Sequence, residues 1–190
     1  MLLSDSEIID LCKGESPLIS PFSPELVRQV DDKKIISYGV SSYGYDLRAG
    51  DEYKIFTNIN CKEIDPKNID EDTFVTVRKK DGYILIPPNS FILTYSQEHL
   101  NIPRNVTGVV LGKSTYARAG IVCICTPLES GWSGHVTLEF ANTTSLPVRF
   151  YPGEGCCQVL FHTGNDCKVS YADRGGKYMN QGKEVVLPKV

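Results

Sequence analysis

Short apolar runs separated by turn-forming residues follow one another from Lys34 to His162, and this alternation limits the possible folds more than any other feature. Runs rich in β-branched and aromatic residues, interrupted by Gly, Pro, Asn and Asp, are typical of strands joined by turns. The predicted strands are Ile35–Tyr38, Tyr45–Arg48, Tyr53–Phe56, Phe74–Arg78, Tyr83–Ile86, Phe91–Ser96, Val106–Leu111, Ile121–Cys125, His135–Ala141, Val148–Phe150 and Gln158–His162. Many short strands at this spacing indicate a mainly β chain, folded as a sandwich, a jelly roll or a barrel.

Helical signals are confined to three short segments. The pattern of Ser4–Glu7 matches a capping box, so we expect a short amphipathic helix that ends near Gly14. Pro24 would suit the first position of a helical turn at residues 23–26. Residues 114–119 are predicted to form one helical turn between strands.

The chain is long enough to bury a core of its own, so residues 1–190 are interpreted as one domain. A formal net charge of -3 provides no general basic field, so we expect no nucleic-acid partner and no membrane partner. Met1 is not followed by an apolar secretory segment, and no apolar run approaches membrane-spanning length. Seven cysteines, mostly within apolar runs, predict reduced thiols and a cytoplasmic location.

The C-terminal segment 171–190 is polar and rich in glycine. Such a segment is often a frayed terminus. The alternative is a mobile lid that orders over a ligand, with Lys177 and Gln181 as hydrogen-bond donors.

A cluster of cations and hydroxyls follows the predicted strand 106–111. The stretch Gly108–Ser114 resembles a P-loop, but it is one residue short and lacks alternating strands and helices, which excludes a Walker-type NTPase. Free amides at the start of the following helical turn would attract phosphate oxygens. The charges and hydroxyls of this turn come from Lys113, Ser114, Thr115 and Arg118. An ordinary capped turn with solvated cations is the alternative interpretation.

Glu139 lies in the predicted strand His135–Ala141, whose other residues are typical of a core strand. Alternation places it on the same face as His135 and Thr137, opposite Leu138. A carboxylate among apolar neighbours has a raised pKa and can transfer protons near neutral pH. A glutamate on a solvated face or in a structural ion pair would be the less specific explanation.

The sequence predicts no protein-bound metal. Zinc nucleobase deaminases need His-x-Glu or Cys-x-Glu followed by Pro-Cys-x-x-Cys. Here His135 lies four residues before the candidate carboxylate, and no Cys-x-x-Cys is present. The pairs Cys123/Cys125 and Cys156/Cys157 have the wrong spacing for zinc. A Gly-x-Ser-x-Gly nucleophile elbow is also absent.

Five segments together carry a highly specific pattern. They are ISYGVSSYGYDLR at 36–48, GKSTYAR at 112–118, TPLE at 126–129, GWSGHVTLEF at 131–140 and VSYADRGGKY at 169–178. In these segments, and over almost its whole length, the chain resembles the bacterial dCTP deaminases, which belong with the trimeric dUTPases.

The resemblance implies a distorted jelly roll of the dUTPase-like β-clip type, with active sites between the subunits of a homotrimer. It implies hydrolytic deamination of dCTP to dUTP and ammonia, which would feed dUMP and dTMP synthesis. Zinc would not be needed, and Mg2+ would be bound through the substrate triphosphate. Because dTTP competes at the same pocket in this family, dTTP is a candidate inhibitor.

The resemblance also implies roles for individual residues. Glu139 would accept and donate protons, with Ser114 and Arg118 as further catalytic residues that orient water and offset developing charge. The implied substrate-binding residues are Lys113, Ser114, Thr115, Tyr116, Ala117, Arg118, Thr137, Leu138, Glu139, Gln158, Tyr171, Lys177 and Gln181.

The turn 126–132 departs from relatives that also hydrolyse dUTP, because those carry an Asp there that activates the attacking water. Here the turn is short and contains Glu129 but no Asp, which favours a deaminase that releases dUTP. Pro127 stands where many relatives have Ala, and it has a carbonyl but no amide to donate. The alternatives are a dUTP pyrophosphatase or bifunctional enzyme, and a non-catalytic nucleotide-binding regulator.

Overall fold

The structure is a computed structural model that describes residues 1–59 and 61–190. Its helices are α1 (Asp5–Leu11), α2 (Ser114–Ala117) and a 3-10 turn (Glu71–Thr73). Its strands are β1 (Ile19–Ser20), β2 (Val27–Val30), β3 (Lys33–Val40), β4 (Tyr45–Phe56), β5 (Phe74–Arg78), β6 (Ile84–Ile86), β7 (Phe91–Asn101), β8 (Val106–Gly112), β9 (Ile121–Cys123), β10 (Ser133–Asn142), β11 (Val148–Phe150) and β12 (Gly155–Thr163). The predicted mainly β fold with a short N-terminal helix is confirmed. None of the helices described is long and apolar enough to cross a membrane.

Antiparallel pairing joins the strands into a distorted jelly roll. The central path runs β2-β3-β4-β7-β10-β9, and β12 pairs with both β4 and β8. The first part of β4 pairs with β3 and β12, whereas its second part pairs with β5 and β7. Strand β4 therefore passes from one layer to the other and ties the two together.

The sequence predicted two strands, at 45–48 and 53–56, where the structure has the single strand β4. Gly50 and Asp51 look like a turn, but a register irregularity between Ala49 and Tyr53 lets β4 stay paired with β7. The Thr94 hydroxyl donates to the Glu52 carbonyl across this irregularity (2.9 Å). Long-range pairing therefore overrides the local turn signal.

The N-terminal capping prediction is confirmed, because the Glu7 carboxylate accepts a hydrogen bond from the Ser4 amide (2.8 Å). The helical turn predicted at residues 23–26 is wrong. The backbone carbonyl of Ser23 accepts from the Val40 amide instead (3.2 Å), and the chain bends into β2. Strands β1 and β2 were not predicted, since β1 is very short and β2 is largely exposed and polar.

A continuous core fills the space between the layers. Its largest fully buried side chains include Tyr45, Tyr53, Phe140, Phe150 and Phe161. The short helix α2 is attached to this core by one side chain: Tyr116 stacks on Phe150 with ring centroids 4.7 Å apart. Its hydroxyl accepts a hydrogen bond from the Tyr151 amide (2.9 Å), which satisfies the polar end of the buried ring. This anchor determines which residues of α2 face outward.

Candidate active site

A cavity of about 490 Å³ lies between β10, the turn after β9 and the C-terminal segment. Five of the predicted site residues line it: Thr137, Glu139, Tyr171, Lys177 and Gln181. Two come from the central strand β10 and three from the segment after residue 170. The chain therefore brings together residues that are more than thirty positions apart in sequence.

Glu139 is held in this cavity by its position in β10, where it pairs with Leu93 of β7. Its backbone carbonyl accepts from the Ile124 amide (2.9 Å), and its Oε2 accepts from the Cys125 thiol (3.2 Å). Burial raises the pKa of Glu139 to about 6, against the smaller opposing effects of the thiol and of its own backbone amide. The predicted rise in pKa is confirmed. A carboxyl that titrates here can both accept and return a proton near neutral pH.

A β-bulge changes the predicted faces of β10. The register shifts between His135 and Thr137, so strict alternation fails at this point. Thr137 and Glu139 line the cavity, but so does Val136, which was predicted to lie on the other face. His135 is buried instead, with Nδ1 2.9 Å from the Ser96 carbonyl oxygen. The prediction that His135 shares the face of Glu139 is therefore wrong.

The C-terminal segment is hydrogen-bonded to β10. The Asn180 amide donates to the Ser133 carbonyl (2.8 Å), and the His135 amide donates to the Gln181 carbonyl (2.9 Å). The Thr137 hydroxyl donates to the Gln181 side-chain oxygen (3.0 Å). These bonds position the Gln181 side chain at the cavity wall within the same subunit.

Lys177 and Tyr171 complete the cover over the cavity. The Lys177 ammonium donates to the Lys189 carbonyl (2.6 Å), so it lies near the end of the chain. The Tyr171 hydroxyl accepts from the Tyr178 amide (3.1 Å). The indole N–H of Trp132 donates to the Tyr178 carbonyl (2.8 Å), which joins the turn before β10 to the same segment.

The predicted phosphate-binding turn does not line the Glu139 cavity. Ser114, Thr115, Ala117 and Arg118 are exposed, on the side of α2 opposite the buried Tyr116. Thr115 lines a second cavity, of about 750 Å³, that does not include Glu139. Within one chain, the lining of the Glu139 cavity includes none of residues 114–118.

Lys113 forms an ion pair rather than an open cationic site. Its Nζ lies 2.5 Å from Asp46 Oδ2, and the two side chains are only 11% and 6% exposed. Burial raises the pKa of Asp46, and the Lys113 hydrogen bond and charge oppose that rise. Gln158 pairs with Asp46 across β12 and β4, and its amide donates to the Ser41 hydroxyl (3.1 Å). Gln158 thus belongs to the Lys113–Asp46 cluster and does not line the Glu139 cavity.

Two predicted site residues are part of the core. The side chain of Leu138 is fully buried, and that of Tyr116 packs on Phe150. Their side chains are therefore not available to a ligand in this subunit.

Sequence reasoning missed several residues of the cavity wall, among them Cys125, Trp132, Val186 and Pro188. For Cys125 the sequence does contain a signal, because its place two residues after Cys123 predicts that the two thiols share a face. No group of three His, Cys, Asp or Glu side chains is arranged to bind a metal among residues 1–59 and 61–190.

The fold and the cavity define a class: jelly-roll proteins that hold a partly desolvated carboxyl, here Glu139, in the wall of a cavity. A family model described as dCTP deaminase-like matches residues 2–164. The chain belongs to the dCTP deaminase-like family.

Close relatives extend over the whole chain. A dCTP deaminase from Herminiimonas arsenicoxydans is 57% identical over 190 residues, covering all of both chains. A dCTP deaminase from Laribacter hongkongensis (strain HLHK9) is 55% identical, again over all of both chains.

A solved structure shares the fold at much lower identity. The crystal structure of 2'-deoxycytidine 5'-triphosphate deaminase from Agrobacterium tumefaciens superimposes with a TM-score of 0.60 at 16% identity. The match covers 86% of this chain and 48% of that chain, so this chain spans about half the length of that relative.

Proposed function

We propose that this protein deaminates dCTP hydrolytically, producing dUTP and ammonia. The observation that carries the proposal is Glu139, a carboxyl with a pKa of about 6 in a cavity covered by the chain's own C-terminal segment. Full-length relatives named dCTP deaminase support this choice of substrate.

The reaction needs a base for the attacking water and then an acid for the ring nitrogen and the leaving ammonia, and one carboxyl can serve as both. Glu139 accepts a proton from the water that attacks C4 of cytosine and passes a proton to N3. The tetrahedral intermediate then collapses: its hydroxyl proton is transferred through Glu139 to the amino group, the C4–N bond breaks, and ammonia leaves. A carboxyl with a pKa near the operating pH is suited to both transfers.

The triphosphate would be bound by the exposed face of α2, with Ser114, Thr115 and Arg118 as donors. Because no residue of this face lines the Glu139 cavity of the same chain, we propose that a neighbouring subunit supplies the α2 face to each site. A homotrimer with sites between subunits would satisfy this requirement. Arg118 would stay cationic and offset the negative charge that develops during attack.

Complementation between two inactive variants tests the shared site. Glu139→Gln and Arg118→Ala are each expected to release almost no ammonia. If each site takes the carboxylate from one subunit and the arginine from the next, refolding an equal mixture restores about one quarter of the wild-type rate. A mixture that stays inactive would argue for a site within one chain.

The role of Mg2+ in this proposal is to neutralise the triphosphate to which it is bound, with phosphate oxygens as its ligands. A zinc-specific chelator is expected to leave turnover unchanged. Seven free thiols support a reducing, cytoplasmic location.

Product analysis separates this function from its alternatives. Incubation with dCTP and Mg2+ should yield ammonia and dUTP in equal amounts, with no pyrophosphate. A dUTP pyrophosphatase or bifunctional enzyme would release pyrophosphate, but the only carboxylate in the 126–132 turn, Glu129, is already paired with Arg174. A non-catalytic regulator would bind dCTP without releasing ammonia. Competition by dTTP for dCTP binding tests the proposed inhibitor.

A further inference from the structure

Two thiols connect the Glu139 carboxylate to the interior of the fold. The Cys125 Sγ lies 3.2 Å from Glu139 Oε2 and donates to it. The Cys123 Sγ lies 3.5 Å from the Cys125 Sγ and donates to that sulfur. A thiol has one proton to donate. Because Cys125 accepts from Cys123, its own proton is directed to the Glu139 carboxylate.

Strand geometry explains this alignment. Cys123 pairs with Phe140 across β9 and β10, and Cys125 follows two residues later, so both side chains point to the same side. The Ile124 amide donates to the Glu139 carbonyl (2.9 Å), which holds the segment beside β10 just beyond the end of β9. The thiol–carboxylate contact thus results from the backbone pairing.

Other titratable groups face the cavity, and each has its own partner. Glu129, from the turn before β10, pairs with Arg174. Lys177 donates to a backbone carbonyl of the C-terminal segment. The Tyr171 and Tyr178 hydroxyls accept hydrogen bonds from backbone amides of that segment. Strand β7 contributes the apolar side chain of Leu93.

We propose that Cys125 is a positioning residue for Glu139: its thiol holds Oε2 and leaves the other carboxylate oxygen for the attacking water. The proposal rests on the deaminase function proposed above.

The chemistry of the thiol suits this task. A lysine or arginine beside the carboxylate would hold its pKa well below neutral and weaken it as a base. A thiol is a weak, uncharged donor that packs like a small apolar side chain, so it orients the carboxylate while keeping the site desolvated.

The matched variants Cys125→Val and Cys125→Thr test the proposal, because they have the same shape and differ in the hydroxyl donor. The measurement is the pH dependence of kcat/KM for ammonia release. For Cys125→Val we expect the acidic limb to move up by about half a pH unit, since a weak hydrogen bond to the ionised form is lost. For Cys125→Thr, the acidic limb of the kcat/KM profile should lie at the wild-type pH or at a lower pH. The control is Cys167→Ser, which removes a thiol that does not line this cavity.

Acidic limbs that coincide in both Cys125 variants and the wild type would overturn the proposal. If Cys125→Val does not fold, Cys125→Ala and Cys125→Ser provide the same comparison of donor with non-donor.

A second measurement separates this proposal from the proposed function. Carbon-13 NMR of glutamate-labelled, ligand-free protein follows the Glu139 carboxyl directly, with its signal assigned by its loss in Glu139→Gln. A wild type that releases no ammonia from dCTP refutes the deaminase, whereas a titration that is the same in Cys125→Val and Cys125→Thr refutes the role of the thiol.

Discussion

Replacing Glu139 by Gln should make the protein more stable at neutral pH while abolishing its activity. Burial raises the pKa of Glu139 from 4.5 to about 6. Between these two values the folded state binds more protons at this site than the unfolded state does. The free energy of unfolding therefore falls as the pH rises through this window, and the loss is complete above the folded pKa.

The size of the effect follows from the shift. A rise of about 1.5 units corresponds to about 2 kcal/mol, which the ionised carboxylate costs the folded protein at pH 7.5. Gln is neutral and its side-chain oxygen can still accept from the Cys125 thiol. Glu139→Gln should therefore gain up to about 2 kcal/mol at pH 7.5, or about 4–8 °C in Tm for a chain of this length.

The assay compares thermal and denaturant unfolding of wild type and Glu139→Gln at pH 4.5 and pH 7.5, at one protein concentration. At pH 4.5 the difference in the free energy of unfolding between Glu139→Gln and the wild type should be much smaller, because the wild-type carboxyl is then protonated in the folded state. Glu129→Gln is the control, since Glu129 lines the same cavity but is exposed and paired with Arg174. An advantage of equal size at both pH values would refute the view that Glu139 is desolvated.

Two further variants test the remaining parts of the site. Gln181→Ala removes the acceptor of the Thr137 hydroxyl but keeps the backbone bonds of the C-terminal segment. In the inactive Glu139→Gln background, dCTP affinity by calorimetry should therefore fall about tenfold with little change in Tm. An unchanged affinity would show that the Gln181 side chain does not serve the ligand. Asp46→Asn leaves the Lys113 ammonium largely buried without its carboxylate and should cost about 3 kcal/mol in urea unfolding. A double variant with Lys113→Met should recover part of that loss, and strictly additive losses would contradict the ion-pair explanation.

The family resemblance and the alternation of β10 predicted much of the candidate site from the sequence alone. Thr137, Glu139, Tyr171, Lys177 and Gln181 do line one cavity. For Glu139, the apolar residues on either side were enough to predict a raised pKa, because desolvation of a carboxylate follows from the burial of its neighbours.

Other features depended on contacts between distant parts of the chain. The bulge that turns His135 away from Glu139 arises in the pairing of β10 with β7. The ion pair of Lys113 with Asp46 joins residues that are 67 positions apart, and no local pattern indicated it.

By itself, the sequence determined where most strands lie and that the Glu139 carboxylate in one of them is partly desolvated, since hydrophobic alternation is encoded residue by residue. Only the tertiary structure decided that the Cys125 thiol meets Glu139 and that the exposed face of α2 does not line the cavity of its own chain. The physical reason is that register, bulges and the anchoring of α2 by Tyr116 depend on backbone pairing and packing between segments far apart in the chain.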